Sequence, residues 1–135
     1  MNVLVDTSVW SLALRRAKRV DDKVPGQLSE LIQEGRVIMV GPVRQELLSG
    51  IKSQAQFELL RDHLRAFPDL ALDEADYEGA AEAFNRCRQK GIQGSNTDFL
   101  LCAIALRRDL DIFTTDRDFD HYAKVLRLKL YRPRS

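Results

Sequence analysis

Apolar residues fall along this chain in short continuous runs and in longer stretches of helical spacing, and the two kinds alternate. "NVLVD" near the start is a short apolar run that reads as a buried strand. Thr7 or Ser8 is placed to cap the helix expected after it, "VWSLALRR". "RRAKRVDDKVPG" reads as a charged connection, and "QLSELIQEG" as a helix closing at Gly35, a residue suited to the left-handed C-terminal position. "RVIMV" is a second strand, and "GPVRQELLSG" turns from it into a helix with Pro42 in its first turn and Gly50 at its end. Ser53 and Gln56 have capping-box spacing ahead of Phe57, Leu60, Leu64 and Phe67, which recur at helical intervals. "LAL" at 70–72 is a weak third strand.

Tyr77, Ala80, Ala81 and Phe84 mark a further amphipathic helix that stops near Gly91. "GIQGSNT" reads as a loop, "DFLLCAIAL" as a helix apolar on nearly every face, and "DIFTT" as a fourth strand. "KVLRLKLY" alternates polar and apolar residues, the pattern of an edge strand. Strands separated by helices imply a mostly parallel sheet covered on both faces, a three-layer α/β/α arrangement. At 135 residues the chain is expected to be one domain, 1–135, with a core that needs no staples.

Composition changes this picture little. A formal net charge of +1 argues neither for nor against nucleic acid. Cys87 and Cys102 lack a metal-ligand spacing and do not make a disulfide framework. The N-terminal apolar stretch is short and broken by Asp6, so no signal peptide is expected, and no run is long enough to span a membrane. The expectation is a cytoplasmic protein.

The chemistry lies in where the acids fall. In an open α/β sheet, sites form at the carboxyl ends of the strands. Asp6 ends the first strand. Glu46 lies about one helical turn beyond the Gly41-Pro42 bend after the second. Asp116 follows the fourth strand, with Asp118 two residues on. Asp98 opens the helix leading into that strand, and a helix antiparallel to the strands begins where they end. Each acid has an ordinary explanation taken singly: a cap, a solvated helix residue, a partner of the helix dipole or a turn. An unpaired buried charge at Asp6 calls for a cap, a basic partner or a metal ion. Gathered together, ionised carboxylates raise one another's pKa unless a cation sits among them. Oxygen-only ligands favour magnesium or manganese over zinc, and magnesium is commonly shared with substrate phosphate. Metal-assisted attack on a phosphodiester is the chemistry such a cluster suggests.

"VLVDTSVW", "VRQELLSGI", "GSNTDFLLCAIAL" and "FTTDRDF" resemble, in order and spacing, the four acidic motifs of PIN-domain ribonucleases, and within them the VapC-type toxins of bacterial toxin–antitoxin pairs. The resemblance covers nearly the whole chain. It implies that Asp6, Glu46, Asp98 and Asp116 are the metal-binding acidic set. It also implies that Thr7 and Thr114 are the hydroxyl residues beside it, and it leaves the role of Asp118 open. It implies an endoribonuclease dependent on Mg2+, or Mn2+, that cuts single-stranded or looped RNA such as tRNA or rRNA. It further implies a homodimer and neutralisation by a VapB-like antitoxin that places a basic side chain among the acids.

Other residues are read beside that set. Arg15, Arg16, Lys18 and Arg19 form a basic cluster that is a candidate for phosphate contact or a solvated face. Trp10 is expected in the core, His63 and His121 at the surface or in packing. Gly91 and Gly94 lack the lysine and hydroxyl of a phosphate loop and read instead as the turn that places Asp98. Two rivals differ in class. A phospho-acceptor receiver needs paired acids at the first strand, where Asp6 stands alone; a noncatalytic RNA- or protein-binding module with a relict acidic pocket differs only in activity.

Overall fold

Val3, Leu4 and Val5 are all fully buried, although successive side chains of a strand point to opposite faces of its sheet. Both faces of the first strand are therefore covered, as the unbroken apolar run requires. The computed structural model describes residues 1–14 and 23–133. Among these the order is β1 (Val3–Val5), α1 (Thr7–Leu14), α2 (Val24–Gln33), β2 (Val37–Ile38), α3 (Gly41–Leu48), α4 (Gln54–Leu64), α5 (Glu74–Gln89), α6 (Asn96–Arg108), β3 (Asp111–Phe113) and α7 (Asp118–Leu126). The sheet order is β2-β1-β3, with both pairings parallel. The chain thus leaves the central strand to one side and returns on the other, and the carboxyl end of β1 lies at the point where strand order reverses. Helices α2 and α3 pack with α1, and α4 with α3; α6 and α7 pack on α5.

Two of the expected strands resolve differently. "LAL" is not a strand: the contact is a single parallel bridge between Met39 and Asp69, with the Leu70 N–H donated to the Met39 carbonyl at 2.8 Å. "KVLRLKLY" divides in two. Its first half completes α7, and its second half lies beside β3 through one bridge from Leu130 to Ile112. The helix prevails because Phe119, Tyr122 and Leu126 recur at helical spacing and are all buried, while only Leu128 and Leu130 retain the alternation. "TTDRDF" is accordingly the entry to a helix rather than a free turn.

Several helix ends follow their chemistry. Ser53 accepts the Gln56 N–H at 3.3 Å, and Asp73 forms a reciprocal capping box with Asp76. Gly35 closes α2 with φ of +69°, a conformation costly for residues bearing a Cβ. In α1 the expected cap is not made by Thr7 or Ser8. The Asp6 carbonyl receives the N–H groups of Val9 and Trp10, and both hydroxyls are engaged elsewhere.

The core runs from β1 through the apolar faces of both helical groups. Trp10 is buried, edge-on to Phe67 at 5.1 Å. Phe84, Phe99, Tyr122 and Phe119 form a chain of ring contacts with centroids 4.9–5.5 Å apart. Arg107 and Arg108, at the C-terminal end of α6, reach the buried Asp76 carboxylate at 2.5 and 2.7 Å. Burial pushes that carboxyl up, but the bonds from Arg108, the Asp73 N–H and Arg107 outweigh it and hold it at about 2. Cys87 and Cys102 are free, buried thiols, and desolvation raises both pKa values. Among the described residues no helix is long and apolar enough to cross a membrane.

Candidate active site

Asp6 follows the last residue of β1, and its N–H is donated to the Phe113 carbonyl of β3 at 2.9 Å. That bond continues the sheet ladder by one residue and fixes the carboxylate at the strand's end. Only 6% of Asp6 is exposed. Its Oδ2 accepts two hydroxyls at 2.8 Å each, from Ser8 and from Thr114. Charge at a buried carboxylate is supported by such donors, though two neutral hydroxyls are weaker support than an arginine.

Thr114 links two of the acids. Its Oγ1 donates to Asp6 and accepts the Asp116 N–H at 3.0 Å. Ser8 completes the lattice by accepting the Thr115 N–H at 3.0 Å. The loop after β3 is thereby pinned to the end of β1. Asp116 Oδ1 in turn accepts the Asp118 N–H at 2.9 Å, where α7 begins. Asp118 is exposed and makes this contact through its backbone, not its carboxylate.

Asp98 arrives from the other side. It lies in the first turn of α6, where Ser95 caps its N–H at 3.0 Å. Tyr122 donates its hydroxyl to Asp98 Oδ2 at 3.1 Å. Burial raises the Asp98 carboxyl above its ordinary range; the Tyr122 bond opposes this, and the negative charges of Asp6 and Asp116 add to it. Asp6, Asp98 and Asp116 therefore share one electrostatic field.

Glu46 is exposed on α3 and accepts the Thr7 hydroxyl at 2.8 Å. Thr7 stands next to Asp6, so this bond ties the α3 acid to the same strand end. His63 and His121 are exposed on α4 and α7. The basic cluster Arg15, Arg16, Lys18 and Arg19 lies outside the described residues.

The donor chemistry is oxygen only. Among the described residues no three histidine, cysteine or acidic side chains close into a ready ligand cage. The charges of Asp6 and Asp116 nevertheless act against that of Asp98, and among the described residues no basic side chain is bonded to any of the three. An oxygen set of this kind fits a hard cation that keeps several waters and takes only part of its shell from the protein. The residues present are consistent with magnesium or manganese, with Asp6, Asp98 and Asp116 as holders and Glu46 beside them.

Ser8 and Tyr122 are the site residues that sequence reasoning did not place. Ser8 was legible only as a helix cap. Tyr122 becomes visible once "DFDHYAKVL" is recognised as a helix, because its spacing from Phe119 and Leu126 marks the inward face.

The model of the PIN domain family matches residues 3–125. Ribonuclease VapC11 of Mycobacterium tuberculosis is 31% identical over 130 residues, which cover 94% of this chain and 96% of that protein. The crystal structure of VapBC2 from Rickettsia felis, bound to a DNA fragment from its promoter, superposes with a TM-score of 0.78 at 18% identity, covering 97% of this chain and 98% of the other. That of FitAcB from Neisseria gonorrhoeae gives 0.77 at 21% identity, covering 97% of each chain. At these identities the two structures establish likeness of fold.

Proposed function

This chain belongs to the PIN-domain family as a VapC-type member, and from that premise we propose that it is a magnesium- or manganese-dependent endoribonuclease. Its substrate is single-stranded or looped RNA, of the tRNA or rRNA kind. It acts in the cytoplasm as the toxin of a toxin–antitoxin pair, forms a homodimer and is neutralised by a VapB-like antitoxin. The observation that carries the reading is the meeting of Asp6, Asp98 and Asp116 in one field at the point where strand order reverses. The ribonuclease name of the VapC11 relative supports the substrate class.

When bound, a divalent cation supplies Lewis-acid charge at the scissile phosphate and favours deprotonation of the attacking water. Asp6, Asp98 and Asp116 would hold it. Thr114 and Ser8 keep the Asp6 carboxylate in one orientation, so little reorganisation is needed when phosphate arrives. Glu46, held by Thr7, orients the attacking water and can take its proton on a carboxylate oxygen. No histidine is required, which agrees with the exposed positions of His63 and His121.

The test is cleavage of a structured RNA by purified protein with and without Mg2+ or Mn2+. Cleavage should need the metal and disappear in Asp6→Asn, with the circular dichroism spectrum unchanged. A variant that cuts as fast as the parent, or a parent indifferent to chelation, would return the chain to the class of noncatalytic binding modules.

A further inference from the structure

Tyr122 is fully buried, yet its hydroxyl emerges at the acidic site. The ring is held against Phe99 at 4.9 Å and Phe119 at 5.1 Å, and the oxygen reaches Asp98 Oδ2 at 3.1 Å. Gly94 seats the hydroxyl end of this ring. A Cβ at position 94 would overlap the Tyr122 oxygen, lie 2.8 Å from Cζ and stand 3.0 Å from Phe99 Cε2. Real side chains do not tolerate such approaches, so an added Cβ would force the hydroxyl end of the ring to shift. Gly94 is therefore a glycine because of close approach, not because of its backbone angle.

The consequence lies at Asp98. A carboxylate one turn into a helix, facing two like charges, gains by rotating away from them toward water. A hydroxyl fixed on a buried ring opposes that rotation by binding one carboxylate oxygen. The geometry points to Tyr122 as a positioning residue that holds Asp98 in its metal-binding orientation, with Gly94 as the seat that admits it. This rests on the reading of Asp98 as a metal-holding acid. Partners of metal-holding groups commonly change affinity by ten- to a hundredfold when removed.

The experiment is Mn2+ binding to the full chain by calorimetry, alongside thermal midpoints and metal titrations of RNA cleavage. Tyr122→Phe keeps the ring and removes the oxygen. It should weaken Mn2+ binding about tenfold and raise the metal concentration for half-maximal cleavage in parallel, with most of the rate recovered at saturating metal. Gly94→Ala displaces the hydroxyl while retaining tyrosine, and should weaken binding similarly. The effects should not add in the double variant, because both remove one contact. Wild-type uptake by Tyr122→Phe, with uptake lost in Asp98→Asn, would overturn the role of Tyr122 alone. Wild-type uptake by Asp98→Asn would overturn the metal-site reading and this proposal with it. A lowered thermal midpoint with unchanged Mn2+ affinity in both Tyr122→Phe and Gly94→Ala would make Tyr122 a packing residue only.

Discussion

The Thr114 hydroxyl on the loop after β3 donates to the Asp6 carboxylate at the end of β1, 2.8 Å away across 108 positions of sequence. The same oxygen accepts the Asp116 N–H, so one hydroxyl sets the spacing of two acids. Replacing it with a side chain of equal shape isolates the bond. Thr114→Val should lower stability by about 1–2 kcal/mol, the cost of leaving a part-buried acceptor short of a donor. RNA cleavage should fall further than stability alone explains. Ser8→Ala should do the same to a lesser degree, because Thr114 still serves Asp6. Chemical denaturation and a cleavage assay on the same preparations check both.

Asp98 carries a cost in the metal-free protein. Its carboxyl is raised by burial and by Asp6 and Asp116, so above that raised pKa the folded state holds a charge it disfavours. Asp98→Asn should therefore raise the metal-free thermal midpoint at neutral pH. Added Mg2+ or Mn2+ should stabilise the parent and leave the variant unmoved. Differential scanning calorimetry with chelator and with metal separates the two cases.

Asp76 has the opposite sign. Its folded carboxyl lies near 2, below an ordinary 3.8, so its ion pairs stabilise the fold above the ordinary value. That stability should be lost as pH falls from about 5 toward 2. Asp76→Asn should cost about 2 kcal/mol at neutral pH, less than for a fully buried pair because both arginines remain partly in water. It should also flatten the acid limb of the stability curve. Urea midpoints measured across pH test this.

Arg44 joins α3 to the segment after α4. It donates to Asp69 Oδ1 at 2.9 Å, to the Leu64 carbonyl at 3.0 Å and to the Phe67 carbonyl. A lysine has neither the fork nor the span to serve three acceptors. Arg44→Lys should lose most of what Arg44→Ala loses, about 2 kcal/mol, read as a shift in denaturant midpoint.

Trp10 is buried, and among the described residues its indole N–H has no hydrogen-bond partner. Trp10→Phe deletes that orphan donor and should cost less than about 1.5 kcal/mol, whereas Trp10→Ala should cost about 3–5 kcal/mol through the cavity it leaves. As the sole tryptophan, it also makes intrinsic fluorescence a direct report on the α1–Phe67 contact.

The chain's own order determined much of this protein. The unbroken apolar run at Val3–Val5, the helical spacing of Phe57 and Leu64, and the long apolar stretch after Asp98 in "DFLLCAIAL" each encode their element locally, through run length or a period of 3.6. Acids after the first and last strands, and one at the start of the helix running antiparallel into the last, were enough to direct Asp6, Asp116 and Asp98 to one edge, because parallel strands end, and such a helix begins, on the same side. The tertiary structure decided what has no local signature. "KVLRLKLY" alternates like a strand, yet its first half folds as helix because Tyr122 and Leu126 find a core to fill. Ser8 could have capped its helix, yet turns to Asp6 because the loop after β3 brings the Thr115 N–H within reach. Gly94 and Tyr122 meet only when α7 docks against the start of α6. Periodicity states which face of an element is buried; which atom it is buried against depends on the docking of elements distant in sequence.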